Sequence, residues 1–377
     1  MNVLIACDTF KGSLSSYEVG KAAETAIKKV IPEAKTVISP MADGGEGTIE
    51  ALLQSTNGHE VEVDVHDPLM RPIKVKYAVI HQDDRDVAYI ECARSSGLSL
   101  LPKQLQNPFN TNTYGLGEQI KDAIKRGYRD IVVSLGGSAT NDGGLGMMQA
   151  LGWHLYDVSG TLMGMRGNPI MQAVRLSDED VIPELKDCLI TAASDVTCPF
   201  YGERGAAYVF AKQKGASDVE IGELDLAMRK LANLFEKTYG KDVQNIPGSG
   251  AAGGLGGAIS APLNGTIKFG VDQVIELTSL ESKIKEADLI ITGEGSIDYQ
   301  SLMGKVPLGV GKIAKKHNKK VIAIAGRIDS ELTLHNHFLD GIFSIQTECR
   351  TIEEALDPAI TKQQVETTVE QLIRLLR

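Results

Sequence analysis

No apolar run in this sequence approaches the roughly 20 residues that a membrane helix needs, so no membrane partner is expected. Cysteine is sparse and scattered: Cys7, Cys92, Cys188, Cys198 and Cys349 are odd in number, widely spaced and without a C-x-x-C. That argues against a disulfide framework and for reduced thiols in a cytoplasmic protein. Leu4-Ile5-Ala6-Cys7 has the form of a lipid-attachment box, but the few residues before Cys7 hold no charged n-region or proper apolar h-region. A buried first strand is the expectation there. No long basic stripe exists, and the formal net charge is −10. A broadly acidic chain repels phosphate backbones, which excludes general nucleic-acid binding. The densest basic cluster, Lys315-Lys316-His317-Asn318-Lys319-Lys320, reads as a solvated helix end that suits the helix dipole.

Several catalytic motifs are also missing. Without a G-x-x-x-x-G-K-S/T this is not a P-loop protein, and without a G-x-S-x-G elbow a serine hydrolase has little support. Gly248-Ser249-Gly250-Ala251-Ala252-Gly253 matches G-x-G-x-x-G, but Asp242 to Pro247 before it makes a poor buried strand. A dinucleotide fingerprint needs a strand directly upstream. The stretch therefore reads as a glycine-rich active-site loop or the tight start of a helix. His335 and His337 form an isolated H-x-H and read as surface histidines rather than metal ligands.

What the chain does have is ordinary globular composition, with 42% apolar and 23% charged residues over 377 positions, enough for about two domains. Asn2 to Cys7 is a short apolar strand, and Asp8 to Ser13 a loop. Ser15-Ser16-Tyr17-Glu18 is a capping box. Val19, Ala22, Ala23, Ala26, Ile27 and Val30 then recur at near-helical spacing, and the helix stops before Pro32. Thr36-Val37-Ile38 is a second strand, followed by the turn Asp43-Gly44-Gly45-Glu46-Gly47 and a helix starting at Thr48. The same alternation returns late. Ala287 to Ile291 leads into Thr292-Gly293-Glu294-Gly295, and Val321 to Ala325 into Gly326-Arg327. Ile342 to Ile345 precedes an amphipathic helix through Val365, Val369, Leu372 and Leu375. Such alternation predicts a parallel sheet, and its continuously apolar strands predict that both faces are covered.

The middle of the chain follows another rule. Val61 to Val65 and Ile73 to Ile80 alternate apolar and polar residues, and Val87 to Ile90 adds a short strand, so antiparallel pairing is expected. Asp130 to Leu135 then feeds a glycine-rich segment, 136–146. The fold class is α/β. One domain is expected from both chain ends, residues 1–65 and 266–377, with a second α/β domain of mixed sheet, residues 66–265, inserted between them. The pattern D-G-G-x-G occurs at 43–47 and again at 142–146, each time before a helix start. Gly permits close backbone approach, and a helix N-terminus attracts anions.

Candidate functional residues cluster at predicted strand ends. Asp8, Lys11 and Ser13 follow the first strand, and Asp43, Gly44, Gly45 and Glu46 the second. Ser138, Asn141 and Asp142 follow the strand at 130–135, Asp195 follows Leu189 to Ala193, and Glu294 and Asp298 follow the strand at 287–291. Ligands of open α/β sheets bind at this edge. Phosphoryl transfer needs backbone and Lys donors for phosphate oxygens, carboxylates for Mg2+, and a carboxylate to orient or deprotonate the acceptor hydroxyl. Each acid taken singly also reads as a turn former or cap. Their repetition at several strand ends argues for an active site.

At these same residues the chain resembles the type-1 glycerate kinases. The matching stretches begin with Asp8-Thr9-Phe10-Lys11-Gly12-Ser13-Leu14, Pro40 to Thr48 around Asp43-Gly44-Gly45-Glu46-Gly47, and Asp67-Pro68-Leu69-Met70-Arg71-Pro72. They continue with Gly136-Gly137-Ser138-Ala139-Thr140-Asn141-Asp142-Gly143-Gly144, Ser194-Asp195-Val196-Thr197, Gln213-Lys214-Gly215-Ala216 and Gly253-Gly254-Leu255-Gly256. Thr292 to Asp298 and Gly304 to Val310 complete a series that runs in family order over nearly the whole chain. The resemblance implies ATP as co-substrate, D-glycerate as acceptor, a phosphoglycerate product and a divalent cation, Mg2+. It also implies a flavodoxin-like domain from the chain ends, an inserted second domain, and an active site between them.

On this reading Lys11 and glycine-rich amides neutralise phosphate, and Asp43, Asp195 and Asp298 are candidates for metal binding or for the acceptor base. Arg71 or Arg204 could pair bidentately with the substrate carboxylate. The metal ligands, the oligomeric state and the phosphorylated carbon are not legible. A kinase of another small hydroxy acid and a non-catalytic nucleotide sensor are the alternatives. The chain departs from the family pattern at Met70, usually Gly; at Cys92, usually Met; at Cys198, usually Asn; and at Ser296, usually Arg.

Overall fold

The computed structural model describes residues 1–45, 47–82, 84–298, 301, 304–329 and 337–377. Its strands, in chain order, are β1 (Asn2–Cys7), β2 (Lys35–Ile38), β3 (His59–His66), β4 (Pro72–Gln82), β5 (Arg85–Glu91), β6 (Asp130–Ser134), β7 (His154–Tyr156), β8 (Arg175–Ser177), β9 (Leu189–Ala193), β10 (Thr266–Lys268), β11 (Leu289–Ile297), β12 (Lys320–Ile328) and β13 (Gly341–Ser344). They divide between two compact units. One comprises Met1–Asp43, Glu50–Asn57 and Phe269–Arg377, and the other Gly44–Ile49 and Gly58–Lys268.

The first unit holds a wholly parallel sheet in the order β13-β12-β11-β1-β2. Counted along the chain within the unit, this is the flavodoxin-like order 2-1-3-4-5, which reverses direction between β1 and β11. The helix Ser16–Val30 begins at the expected capping box: Ser15 Oγ accepts the Glu18 N–H, and the Glu18 carboxylate accepts the Ser15 N–H at 2.8 Å. Val19, Ala22, Ala23, Ala26, Ile27 and Val30 are all buried, in one core with β1, β11 and the helix Pro358–Leu376. Val365, Val369 and Leu372 of that last helix join the core, but Leu375 is exposed and Ile373 is buried instead. The apolar stripe widens at 372–373 rather than advancing to 375.

Two expected loops are strand. Thr292 to Gly295 and Gly326-Arg327 lie inside β11 and β12, which pair as far as Ser296 with Arg327 and Ile297 with Ile328. Central strands find ladder partners on neighbouring chain, and these extend them past the apolar run that sequence reading relies on.

The second unit holds a six-stranded sheet in the order β10-β9-β6-β5-β4-β3. β4 runs antiparallel to both neighbours, and the remaining pairs are parallel. The alternation in β3 has the expected cause: Val61 and Val65 are buried while Glu60, Glu62 and their neighbours meet solvent. β3 pairs with β4 along its length, and β10 pairs with β9. The compact units accordingly divide before β3 and after β10, with Gly44–Ile49 also in the second unit. β7 and β8 make a small antiparallel ribbon. Tyr77, Ile90, Leu116, Met147, Phe200 and Phe235 fill the core. Among the described residues, no helix is long and apolar enough to cross a membrane.

Candidate active site

In the second unit, β5, β6 and β9 are parallel neighbours. A cavity of about 380 Å³ opens where the chain leaves β6 and β9, lined by Leu135 to Ser138 and by Ala193 to Val196. Both exits stay tied to the sheet. Leu135 N–H donates to Ala193 O at 3.0 Å, and Ser194 N–H donates to Lys268 O at 2.9 Å. Gly137 has φ +71°, and a Cβ there would lie 3.1 Å from that of Ala93, so the turn needs glycine. Gly44 and Gly45 add to the wall. Their segment is held by buried Glu91 at the end of β5, whose carboxylate accepts the Ile49 N–H at 3.0 Å and Arg94 Nε at 2.8 Å.

Ala251 and Ala252 supply another part of the wall. Ala252 has φ +52° and ψ +40°, and Gly253 and Gly254 are left-handed too, which breaks the first turn of the helix Ala251–Ser260. A left-handed non-glycine residue costs about 1–2 kcal/mol. Upstream lies a short 3-10 turn, Val243–Asn245, and no strand, so this glycine-rich stretch lacks the context of a dinucleotide fingerprint. It reads instead as the tight helix start beside a cavity.

Lys214 is the lining residue that sequence reasoning missed. It ends a 3-10 turn, Lys212–Lys214, and is 2% exposed. Its Nζ donates to Ser138 Oγ at 2.9 Å and to Thr140 O at 2.7 Å. Burial pulls the ammonium down to about 8, against the nearby Cys92, Asp142 and Cys198. Gly215 makes this placement possible: its φ is +99°, and a Cβ would lie 1.9 Å from Gln106 O. Lys214 lies in a stretch quoted for the family resemblance, but it does not follow a strand, so the strand-end rule passes over it. Ser138 and Asp195, both expected, line the same cavity, and Asp195 is exposed there.

Other expected residues are engaged inside this unit. Asp142 is fully buried and accepts from Thr113 N–H and Thr113 Oγ1 at 2.8 Å each, Gly144 N–H at 3.1 Å and Gly146 N–H at 3.0 Å. It thus caps the helix Leu145–Leu151 itself, where a bound anion was expected. Burial raises its carboxyl above the ordinary range, and these donors oppose the rise. Asn141 is buried beside it, with a backbone oxygen that accepts from Asn168 Nδ2 at 3.0 Å. Arg71 Nε donates to Asp67 at 2.5 Å, closing a turn in which Met70 has φ +62°. Glycine is unstrained at such an angle. Arg204 is exposed, and neither Arg71 nor Arg204 lines the cavity.

The first unit gathers acids of its own at the reversal point of its sheet. Asp8 leaves β1 with its N–H bonded to Gly293 O of β11 at 2.8 Å, and Glu294 follows on β11. Both side chains are buried. Burial and then Asp43 push the Asp8 carboxyl well above its usual range; the Thr9 N–H opposes this, and Glu294 adds to it. Burial raises Glu294 to about 7; Ser301 and Lys305 oppose the rise, and Asp298 and Asp43 reinforce it. Lys305 Nζ lies 3.9 Å from the Glu294 carboxylate. Lys11 is exposed, and Ser13 Oγ donates to Thr361 Oγ1 at 2.7 Å. Among the described residues, no three His, Cys, Asp or Glu side chains converge so as to hold a metal by themselves. Glu46 and His335 lie outside the described residues.

A flavodoxin-like unit and a mixed-sheet unit, each with polar side chains at the carboxyl edge of parallel strands, define an α/β protein built to take small ligands at its sheet edges. The glycerate kinase family matches residues 3–377. The glycerate 2-kinase of Escherichia coli (strain K12) is 42% identical over 356 residues, covering 94% of this chain and 93% of that protein. The glycerate kinase of Halalkalibacterium halodurans is 39% identical over 373 residues, covering 99% and 96%. A crystal structure of a protein described as glycerate kinase 2, from Salmonella typhimurium LT2, matches with a TM-score of 0.88 at 39% identity, covering 100% of this chain and 98% of that one. The chain belongs to the glycerate kinase family.

Proposed function

We propose that this chain is an ATP-dependent glycerate kinase, transferring the γ-phosphoryl group of ATP to a hydroxyl of D-glycerate to give a phosphoglycerate and ADP. The observation that carries this reading is the cavity of the second unit, where glycine-rich turns, the buried Lys214 ammonium and the Asp195 carboxylate line one space beside parallel strand ends in a chain of this family. Phosphoryl transfer is catalysed chiefly by positioning and charge stabilisation, and these are the groups it uses. Asp195 accepts the proton of the acceptor hydroxyl as the new O–P bond forms.

The acids of the first unit fit a divalent cation. Mg2+ prefers hard oxygen ligands and is commonly held by one or two carboxylates together with substrate phosphates, so a complete protein cage is not required. Asp8 and Glu294 would hold it, with Asp43 and Asp298 beside them. The raised proton affinity of Asp8 and Glu294 is the mark of crowded buried carboxylates that a cation would relieve. When bound, the cation supplies neutralisation of phosphate charge. Lys11 and Lys305 bring further positive charge to this unit.

The test is Asp195→Asn. A lost base lowers turnover by roughly 10²–10⁴-fold and leaves both Michaelis constants little changed. Rescue by high Mg2+ or Mn2+ would reassign Asp195 as a metal ligand. Wild-type turnover would remove it from the chemistry and pass the base role to Asp43 or Asp298.

A further inference from the structure

The charge pattern of the second unit's cavity specifies its occupant further. Among the described residues lining it, Lys214 is the one cation and Asp195 the one anion. Leu98, Leu135, Val196 and Phe210 contribute apolar wall. An ammonium has three donors, and Ser138 Oγ and Thr140 O take two of those on Lys214. The third has no hydrogen-bond acceptor among the described residues; the Phe210 ring, 6.0 Å from Nζ, lies beside it. Among the described residues Lys214 makes no ion pair, although its side chain is almost wholly buried. Buried charges are ordinarily paired, so this one is set up to receive its counter-ion from outside.

We infer that Lys214 is the receptor for the acceptor's carboxylate, so that the cavity takes a small hydroxy acid with its carboxylate on the ammonium and its hydroxyl at Asp195. This assignment rests on the kinase reading above and replaces Arg71 and Arg204 in the carboxylate role. One fixed ammonium balances one carboxylate. A triphosphate carries several negative charges and would meet one cation here together with the repelling Asp195. At about 380 Å³ the cavity lies near the small end of ligand pockets, which suits a three-carbon acid. The groups facing Lys214 are the Cys92 thiol beyond β5, the Asp142 carboxyl beyond β6, the Cys198 thiol beyond β9, and Asp195 across the cavity. Burial raises Cys92 and Cys198 well above neutrality, leaving both as thiols, so the amine is the group that titrates nearest working pH.

The experiment compares wild type and Lys214→Met, using D-glycerate and glycerol as acceptors. Glycerol keeps the hydroxyls and lacks the carboxylate. Lys214→Met is expected to raise the glycerate Michaelis constant by about 10²-fold or more and leave that for ATP within a few-fold. The preference for glycerate over glycerol should collapse by the same factor. A purely structural lysine would weaken both acceptors alike and leave their ratio intact, which overturns the assignment. A rise in the ATP constant instead would move Lys214 to the phosphates and also overturn it. Either result leaves the kinase reading standing if wild type phosphorylates glycerate. Should the variant fail to fold, calorimetric binding of D-glycerate to wild type from about pH 6.5 to 9.5 decides the matter. Affinity should fall about tenfold per pH unit once the amine loses its proton, and a flat profile overturns the assignment.

Discussion

Replacing Asp142 by alanine separates a structural role for this carboxylate from a ligand-binding one. In sequence it sits in the glycine-rich run of the second unit and reads as a phosphate contact. In the structure its carboxylate accepts three backbone N–H bonds and one hydroxyl bond within the unit. Asp142→Ala strands the N–H groups of Thr113, Gly144 and Gly146 in a fully buried place. A buried donor left without a partner costs about 1–3 kcal/mol. Allowing for partial relaxation, the loss should be on the order of 4 kcal/mol, a large share of the 5–15 kcal/mol typical of whole domains. For a unit of this size that corresponds to a fall in Tm of roughly 8–16 °C. Asp142→Asn keeps one acceptor and should lose about half as much. The assay is urea unfolding followed by far-UV circular dichroism, with turnover per folded molecule measured at low temperature. The expected outcome is a large loss of stability with near-normal turnover in the fraction that remains folded. An Asp142→Ala protein that unfolds within about 1 kcal/mol of wild type yet has lost turnover would refute it, and would return Asp142 to the ligand.

Two other outcomes follow from the same geometry. Glu294 keeps its proton up to about pH 7 when folded but titrates near 4.5 when unfolded; the folded state therefore binds more protons between these values, and stability falls as pH rises through that window, by on the order of 3 kcal/mol. Glu294→Gln, measured by thermal unfolding without divalent cations, should flatten that slope and exceed wild-type stability at pH 8. Met70→Gly relieves a left-handed backbone at φ +62° and should raise stability by up to about 1 kcal/mol, since relief of strain outweighs the added freedom of the unfolded chain; a loss of stability in urea titration would contradict this.

The legible parts of the fold are those governed by local rules. Ser15 and Glu18 announce a helix start because both halves of a capping box lie within four residues. The alternation of Val61, Val63 and Val65 marks a strand with one buried face. The strand-end rule found Ser138 and Asp195, which line one cavity. It missed Lys214 because that residue reaches the cavity from a 3-10 turn, and the burial that lowers its proton affinity comes from residues distant in the chain. Arg71 had the right chemistry for a carboxylate, but Asp67, four residues earlier, takes up its guanidinium. Thr292 to Gly295 looked like a loop because glycine and glutamate interrupt the apolar run, while the partners that keep it in strand belong to β1 and β12.

The most direct test of the proposed activity is phosphorus NMR of the purified protein with ATP, Mg2+ and D-glycerate. A new phosphomonoester resonance, coupled to carbon-bound protons and growing in step with ADP, is the predicted result, and its splitting identifies the phosphorylated carbon. ATP left unchanged, or converted only to ADP and inorganic phosphate regardless of glycerate, would contradict the account.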